Sequence, residues 1–176
     1  MKITQIALGL VLMFATGCGI RAQEKKVAPT KDEISARANE ILSQMTLEEK
    51  VGQMTQVTLD VIGKGENRFS SFEPFSLDRD QVIKAVKEYH VGSFLNTANN
   101  RALPREQWYS VIKEIQDINK EETKLGIPVI YGVDEIHGAT YTVGATMFPQ
   151  QIGQAASRNP EMVKRGAQIT AYETRA

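Results

Sequence analysis

The chain has 176 residues, of which 21 are basic and 21 acidic, so its formal net charge is zero at neutral pH. A nucleic-acid-binding protein is expected to carry a basic stripe and a lipid-binding segment a polybasic cluster, and this even balance argues against both classes. Hydrophobic residues make up 41% and charged residues 24% of the chain, which is typical of a globular protein with one sizeable core.

The first 22 residues have the pattern of a signal peptide. Lys2 supplies a positive charge, and residues 6–15 form an apolar run that is too short to span a bilayer. Residues 23–30 are mostly polar and indicate a linker, which leaves 31–176 as the body of the protein. We therefore expect an exported protein that is periplasmic or anchored to the outer membrane of a Gram-negative bacterium.

The signal peptide has two candidate ends. Residues 15–18 (ATGC) resemble a lipobox that lacks the usual first leucine, and lipidation of Cys18 would be the only link to a membrane. The alternative is simple cleavage after Ala22. Cys18 is the only cysteine, so the body has neither a disulfide nor a thiol nucleophile.

In chain order, the body opens with two capping boxes, Thr30–Glu33 and Thr46–Glu49, each followed by apolar residues at helical spacing. Residues 55–77 have no clear period and predict a long loop. The further predicted elements are a helix over 76–89, a strand over 91–95, a loop over 96–104, a helix over 105–125, a strand over 127–133 and a helix that begins at Asn159. Tyr89 and Trp108 fall on apolar stripes of their helices and are expected in the core.

Strands that alternate with helices predict an α/β fold with parallel pairing. Two parallel strands cannot close a barrel or bury both of their faces. The last helix keeps its period to Ala171 with no Gly or Pro after it. Either the sheet is very small or further elements are missing, and we favour missing elements.

Asp134 and Glu135 follow directly on the second predicted strand, where parallel α/β folds place their active sites. A solvated loop acid is the equally weighted alternative. Side chains of adjacent strand residues point to opposite faces, so the two acids do not form an acid/base pair. His137 invites a metal hypothesis, but His90 is the only other histidine, so we expect no metal and a His137 bonded to loop backbone.

Several motifs resemble glycoside hydrolase family 3, the β-glucosidase family, in order and in spacing. They are residues 45–54 (MTLEEKVGQM), 127–138 (IPVIYGVDEIHG), 144–151 (GATMFPQQ) and 171–176 (AYETRA). The resemblance covers residues 34–176. It implies the N-terminal part of a TIM-like (β/α)8 barrel, incomplete in this chain, which would take about 250 residues when complete.

The resemblance also implies retaining hydrolysis of terminal β-glucosyl or β-xylosyl residues, with a β-linked oligosaccharide or glucoside as substrate and no cofactor. It implies that Asp134 holds sugar hydroxyls in the −1 subsite. The loop residues Asn96, Thr97 and Ala98, together with His137, are expected to support the site. The nucleophile and the acid/base are expected outside these 176 residues, so the chain holds no catalytic residue and is expected to be an inactive fragment.

A different class of function remains as the alternative, namely a non-catalytic exported lipoprotein that binds a sugar or a protein partner through a small α/β body. An open reading frame that continues past Ala176 to an Asp-Trp nucleophile motif would favour the enzyme. A stop codon directly after Ala176 would favour the binding protein.

Overall fold

The computed structural model of the protein describes residues 28–67, 70–96 and 98–175. The predicted signal peptide, Cys18, most of the linker and Thr97 lie outside these residues. None of the helices in the described part of the chain is long and apolar enough to cross a membrane.

Six α-helices and three strands make up the regular structure of the described residues. The α-helices are α1 Lys31–Gln44, α2 Leu47–Gln53, α3 Arg79–Ile83, α4 Arg105–Glu122, α5 Gln151–Ala156 and α6 Pro160–Arg175. The strands are β1 Gln56–Thr58, β2 Ser93–Leu95 and β3 Ile130–Gly132. α3 continues into a π-helical turn, Lys84–Glu88, and short 3-10 turns span Leu59–Ile62 and Ala98–Asn100.

The three strands form one parallel sheet in the order β1-β2-β3. In the shared register Val57 lies beside Phe94, and Phe94 lies beside Tyr131. Each pair of neighbouring strands is joined by a crossover that contains a helix, as parallel pairing requires. The expected α/β class with parallel strands is thus confirmed.

The expectation of two strands was wrong, because β1 lies inside the segment predicted as a loop. β1 has three residues, and only Val57 among them is apolar and half-buried, which is too short for a period of two to be visible. The other two strands are shorter than predicted. Each ladder covers three residues, although the flanking Val91 and Val129 are also buried.

One face of the sheet packs on helices and forms the core. Phe94 is fully buried there, together with Leu59, Val82 and Ile115, and Tyr131 and Trp108 pack against the same cluster. Burial of this apolar surface is the main stabilising term of the fold. Tyr89 was expected in this core, but its side chain is 61% exposed because the π-helical turn ends there and the chain changes direction into β2.

The opposite face, here called the open face, carries Gln56, Ser93 and Ile130 at one level of the register. Gln56 Nε2 donates a hydrogen bond of 2.7 Å to Ser93 Oγ, which links β1 to β2 on this face. Ile130 is 69% exposed, so no element of the described chain covers it. The sheet therefore has one packed face and one face that is accessible to solvent at Gln56 and Ile130, while Ser93 of the central strand is buried.

Three of the helices begin at the capping residues that the sequence predicts. Thr30 and Thr46 each accept a hydrogen bond from the backbone amide three residues on, and the glutamate at that position bonds back to the cap amide. Asn159 Oδ1 accepts from Met162 N at 3.1 Å and begins α6. Both predicted capping boxes and the predicted start of the last helix are confirmed.

Candidate functional site

The carboxyl ends of β2 and β3 bring residues from two separate segments together. Asn96 follows β2 directly, and Asp134 lies two residues beyond β3. Asp134 N donates a hydrogen bond of 3.2 Å to Asn96 Oδ1, so these two sequence-predicted residues are neighbours. Asp134 is exposed and Asn96 half-buried, and a ligand at this edge would reach both.

Asp134 and Glu135 both follow the end of β3 and have different surroundings. Within the strand, Ile130 belongs to the open face and Tyr131 packs against the helical core. Glu135 borders a cavity of about 260 Å³ whose walls include Trp108 and Ile112 of α4. Glu135 therefore lies on the helix side, away from Asp134.

Glu135 is half-buried, and its Oε2 atom is buried with no hydrogen-bond partner among the described residues. It also borders a second cavity, of about 400 Å³, between the segment after β3 and α6. Burial raises the pKa of the Glu135 carboxyl above its ordinary value of 4.5, and hydrogen bonds from the Thr140 and Tyr141 backbone partly oppose that rise. Desolvation of the charged form is thus the dominant effect at this side chain.

His137 is held inside the loop that follows β3. Its Nδ1 lies 3.0 Å from Phe148 O, and its Nε2 lies 3.0 Å from Gln150 Nε2. A neutral ring that donates from Nδ1 and accepts at Nε2 satisfies both contacts. No group of three His, Cys, Asp or Glu side chains that could hold a metal occurs in the described part of the chain.

The three candidate residues after β2 have different environments. Asn96 contacts β3 and its loop, as given above. Ala98 is 2% exposed and packs in the hydrophobic core, so its side chain cannot touch a ligand at the edge of the sheet. Thr97 lies outside the described residues. Among the described residues of this loop, only the Asn96 side chain contacts Asp134.

The comparisons with known proteins agree on one family. Residues 46–176 match the glycosyl hydrolase family 3 N terminal domain. The chain belongs to glycosyl hydrolase family 3. A relative named lysosomal beta glucosidase, from Dictyostelium discoideum, is 33% identical over 141 residues, which are 76% of this chain.

Two further relatives carry related names. Probable beta-glucosidase C of Aspergillus oryzae (strain ATCC 42149 / RIB 40) is 29% identical over 80% of this chain, and periplasmic beta-glucosidase of Salmonella typhimurium is 26% identical over 82%. The chain spans only 16%, 22% and 15% of the length of these three relatives, in the order given.

A polar network at the same edge of this family 3 chain was missed by the sequence analysis. Asp60 Oδ1 accepts hydrogen bonds from Ser71 Oγ at 2.9 Å and from Asn99 N at 3.1 Å. Asn99 also exchanges two bonds with the Ser71 backbone, at 3.0 and 2.6 Å. The network ties the segments after β1 and β2 together, and a carboxylate closely following a strand was the signal that could have revealed it.

A second link, also missed, fixes the loop after β3. Thr146 donates from its backbone N and its Oγ1 to the two carboxylate oxygens of Glu173, at 2.9 and 2.8 Å. Trp108 Nε1 donates to Tyr141 O at 2.9 Å. The loop that begins with Asp134 is therefore tied to both α4 and α6.

Proposed function

We propose that the whole protein hydrolyses O-glycosidic bonds and releases terminal β-glucosyl or β-xylosyl residues from oligosaccharides. The family match and the three β-glucosidase relatives support this proposal. Because the chain spans about one fifth of those relatives or less, the activity is proposed for the whole protein and not for these 176 residues alone.

We assign residues 31–176 to the first part of a TIM-like barrel. Its support is the parallel sheet of three strands, with helical crossovers and one open face. Retaining hydrolysis needs two carboxyl groups about 5–5.5 Å apart across the sugar. Asp134 and Glu135 are proposed not to form that pair, because only Glu135 borders the cavity beside α4. The nucleophile and the acid/base are proposed to belong to other segments.

Asp134 is proposed to bind sugar hydroxyls in the −1 subsite, as its motif implies. This role is supported by the position of Asp134, whose side chain is exposed just beyond the carboxyl end of β3. The backbone N–H of Asp134 is held by Asn96 Oδ1. A carboxylate accepts stronger hydrogen bonds from hydroxyls than a neutral group does. Such bonds can strengthen as the ring distorts, which favours the transition state.

The test is Asp134→Asn in the full-length protein. The variant keeps the shape of the side chain and loses its charge, so one charge-assisted hydrogen bond weakens. We expect kcat/KM for an aryl β-glucoside to fall by about one to two orders of magnitude, the equivalent of about 1.5–3 kcal/mol. Glu135→Gln is the matched control, because the adjacent carboxylate lies on the helix side and its change should have a much smaller effect.

Two outcomes would contradict the role of Asp134. If Asp134→Asn abolished turnover and azide restored it with inverted product, Asp134 would be the nucleophile. If Glu135→Gln lowered kcat/KM more than Asp134→Asn did, the two side chains would have the opposite roles. A wild-type protein without any β-glucosidase activity would refute the proposed function itself.

We further propose that the protein is exported. The N-terminal pattern of Lys2 and the apolar run 6–15 supports export, and one of the relatives is named as periplasmic. The mass of the mature N-terminus distinguishes lipidation at Cys18 from cleavage after Ala22. Retention of the unprocessed N-terminus in the cytoplasm of a Gram-negative host would refute export.

A further inference from the structure

Asn96 makes three separate links to β3 and the residues after it. Its backbone N donates to Gly132 O at 2.8 Å, its carbonyl oxygen accepts from the Tyr131 hydroxyl, and its side-chain Oδ1 accepts from Asp134 N at 3.2 Å. The geometry of Asn96 is therefore tightly coupled to that of Asp134.

The backbone of Asn96 favours this residue type. Its φ is +59°, in the left-handed region that Gly, Asn and Asp occupy more readily than other residues. Gly has no side chain to hold Asp134, and Asp would add a second negative charge beside it. Asn combines a tolerance of the left-handed backbone with an uncharged acceptor and a donor.

The bond to Asp134 also fixes which way the amide group points. An amide nitrogen cannot accept a hydrogen bond from Asp134 N, so Oδ1 must face that N–H. This leaves Nδ2 with two donor hydrogens that have no partner among the described residues. Asn96 Oδ1 is bonded to the backbone of Asp134, so the Nδ2 donors and the exposed Asp134 carboxylate belong to directly contacting residues.

We propose that Asn96 is a second sugar-binding residue, which holds Asp134 through Oδ1 and donates from Nδ2 to the hydroxyl next to the one that Asp134 accepts. The inference rests on the proposed function, because it concerns the same subsite. A sugar hydroxyl both donates and accepts, so neighbouring hydroxyls match a carboxylate and an amide nitrogen that lie side by side. The pair would favour pyranosides that present two adjacent hydroxyls in this geometry.

The test measures kcat/KM in the full-length protein with a set of aryl β-glucosides that each lack one hydroxyl. Asn96→Gly keeps the left-handed backbone and removes the side chain. We expect a loss of about three- to tenfold with the parent glucoside, the size of one neutral hydrogen bond. That loss should be clearly smaller with the glucoside lacking the hydroxyl bound by Nδ2, and the remainder comes from the lost bond between Asn96 Oδ1 and Asp134 N. Asp134→Asn should instead become silent with a different, adjacent deoxy substrate.

Two further variants serve as controls. Asn100→Gly changes another left-handed asparagine of the same loop, which is exposed and makes no bond to Asp134, and it should leave every kcat/KM unchanged. Tyr131→Phe removes the hydrogen bond from the Tyr131 hydroxyl to the Asn96 carbonyl. It should lower kcat/KM by a similar factor for every deoxy substrate.

An Asn96→Gly loss that is equal for every deoxy substrate would overturn the proposal. So would a loss that couples only to the hydroxyl read by Asp134, because Asn96 would then act by positioning alone. Failure of the proposed function has a different signature, since wild-type protein would then not turn over the parent glucoside.

Discussion

Asp134 and Glu135 are adjacent carboxylates with opposite surroundings. Asp134 is exposed at the sheet edge, where a hydroxyl can reach it, while Glu135 is half-buried between α4, α6 and the loop at 138–142. Both residues lie beyond Gly132, the last residue of β3, and of the two only Glu135 borders the cavities beside α4 and α6. The proposed sugar-binding role is therefore given to Asp134 and not to Glu135.

The raised pKa of Glu135 predicts a pH-dependent stability. A carboxyl whose pKa is higher in the folded than in the unfolded state stabilises the fold when it is protonated. For Glu135 this contribution is fully present below about pH 4.5, the ordinary pKa of a glutamate. That contribution is lost as pH rises through the folded pKa. Glu135→Gln keeps the neutral form, so it should match wild type near pH 4 and melt at a progressively higher temperature than wild type as pH increases.

The measurement is the melting temperature of full-length wild type and variant at several pH values from about 4 to about 8. Glu173→Gln is a useful control, because the Glu173 carboxylate accepts two hydrogen bonds from Thr146. Removal of its charge should therefore lower the melting temperature of the protein. A constant difference between Glu135→Gln and wild type at all pH values would show that ionisation of Glu135 does not act on the fold.

Sequence reasoning located residues that follow predicted strands, but not the hydrogen bonds that join these residues to one another. Asp134 was found because its strand and its motif are both visible in the sequence. The bond between Asn96 and Asp134, and the network of Asp60, Ser71 and Asn99, join residues 11 to 39 positions apart. A spacing pattern contains no information on such pairs until the register of the sheet is known.

At the scale of elements, the sequence analysis overestimated the length of β3. The segment 127–133 is apolar throughout, but its ladder covers only Ile130–Gly132. Gln116 of α4 takes the place of a neighbouring strand at Val129, since its side chain donates to Val129 O at 2.7 Å and accepts from Val129 N at 3.1 Å. Such a helix–strand bond cannot be anticipated from periodicity.

The close approach of α2 to Tyr89 and His90, between the π-helical turn and β2, depends on Gly52. A Cβ added to Gly52 would lie 2.5 Å from Tyr89 O and 2.7 Å from His90 O, which are backbone atoms that cannot swing away. We expect Gly52→Ala to lower the free energy of unfolding by about 1–3 kcal/mol, as overpacking does elsewhere. The midpoint of chemical unfolding of the full-length protein measures the effect.

Gly166 in α6 is the matched control for Gly52, because both glycines are helical and buried. A Cβ at Gly166 would meet Phe148 Cδ1 at 3.4 Å, an ordinary contact. Alanine also favours a helix over glycine by up to about 1 kcal/mol, so Gly166→Ala should be neutral or stabilising. Equal losses in the two variants would rule out close backbone packing as the reason for Gly52.

At the scale of the whole molecule, much apolar surface remains uncovered. The exposed large hydrophobic side chains include Met54 of α2, Ile130 of β3, Ile152 of α5 and Tyr172 of α6, and Ile152 is 88% exposed. α1 has no buried residue at all. Within the described chain, β1 and β3 also form the two edges of the sheet. Exposed apolar patches and unpaired strand edges are typical of surfaces that another element covers.

These surfaces predict that residues 23–176, produced alone, associate and show no cooperative melt as a monomer. They should also fail to hydrolyse aryl β-glucosides, because the proposed nucleophile and acid/base lie in other segments. Light scattering coupled to size exclusion, calorimetry and a glucosidase assay test the three points. A monomer that melts cooperatively, or one that turns over substrate, would contradict the assignment to part of a larger barrel.

Ile152→Gln tests whether the exposed face of α5 is buried by other elements in the full-length protein. In residues 23–176 alone the polar side chain should reduce association, because less apolar surface is available for contact. In the full-length protein the same change should destabilise the fold, since further barrel elements are proposed to bury Ile152 there. Stability of the full-length protein that is unchanged by Ile152→Gln would mean that α5 faces solvent in the complete molecule as well.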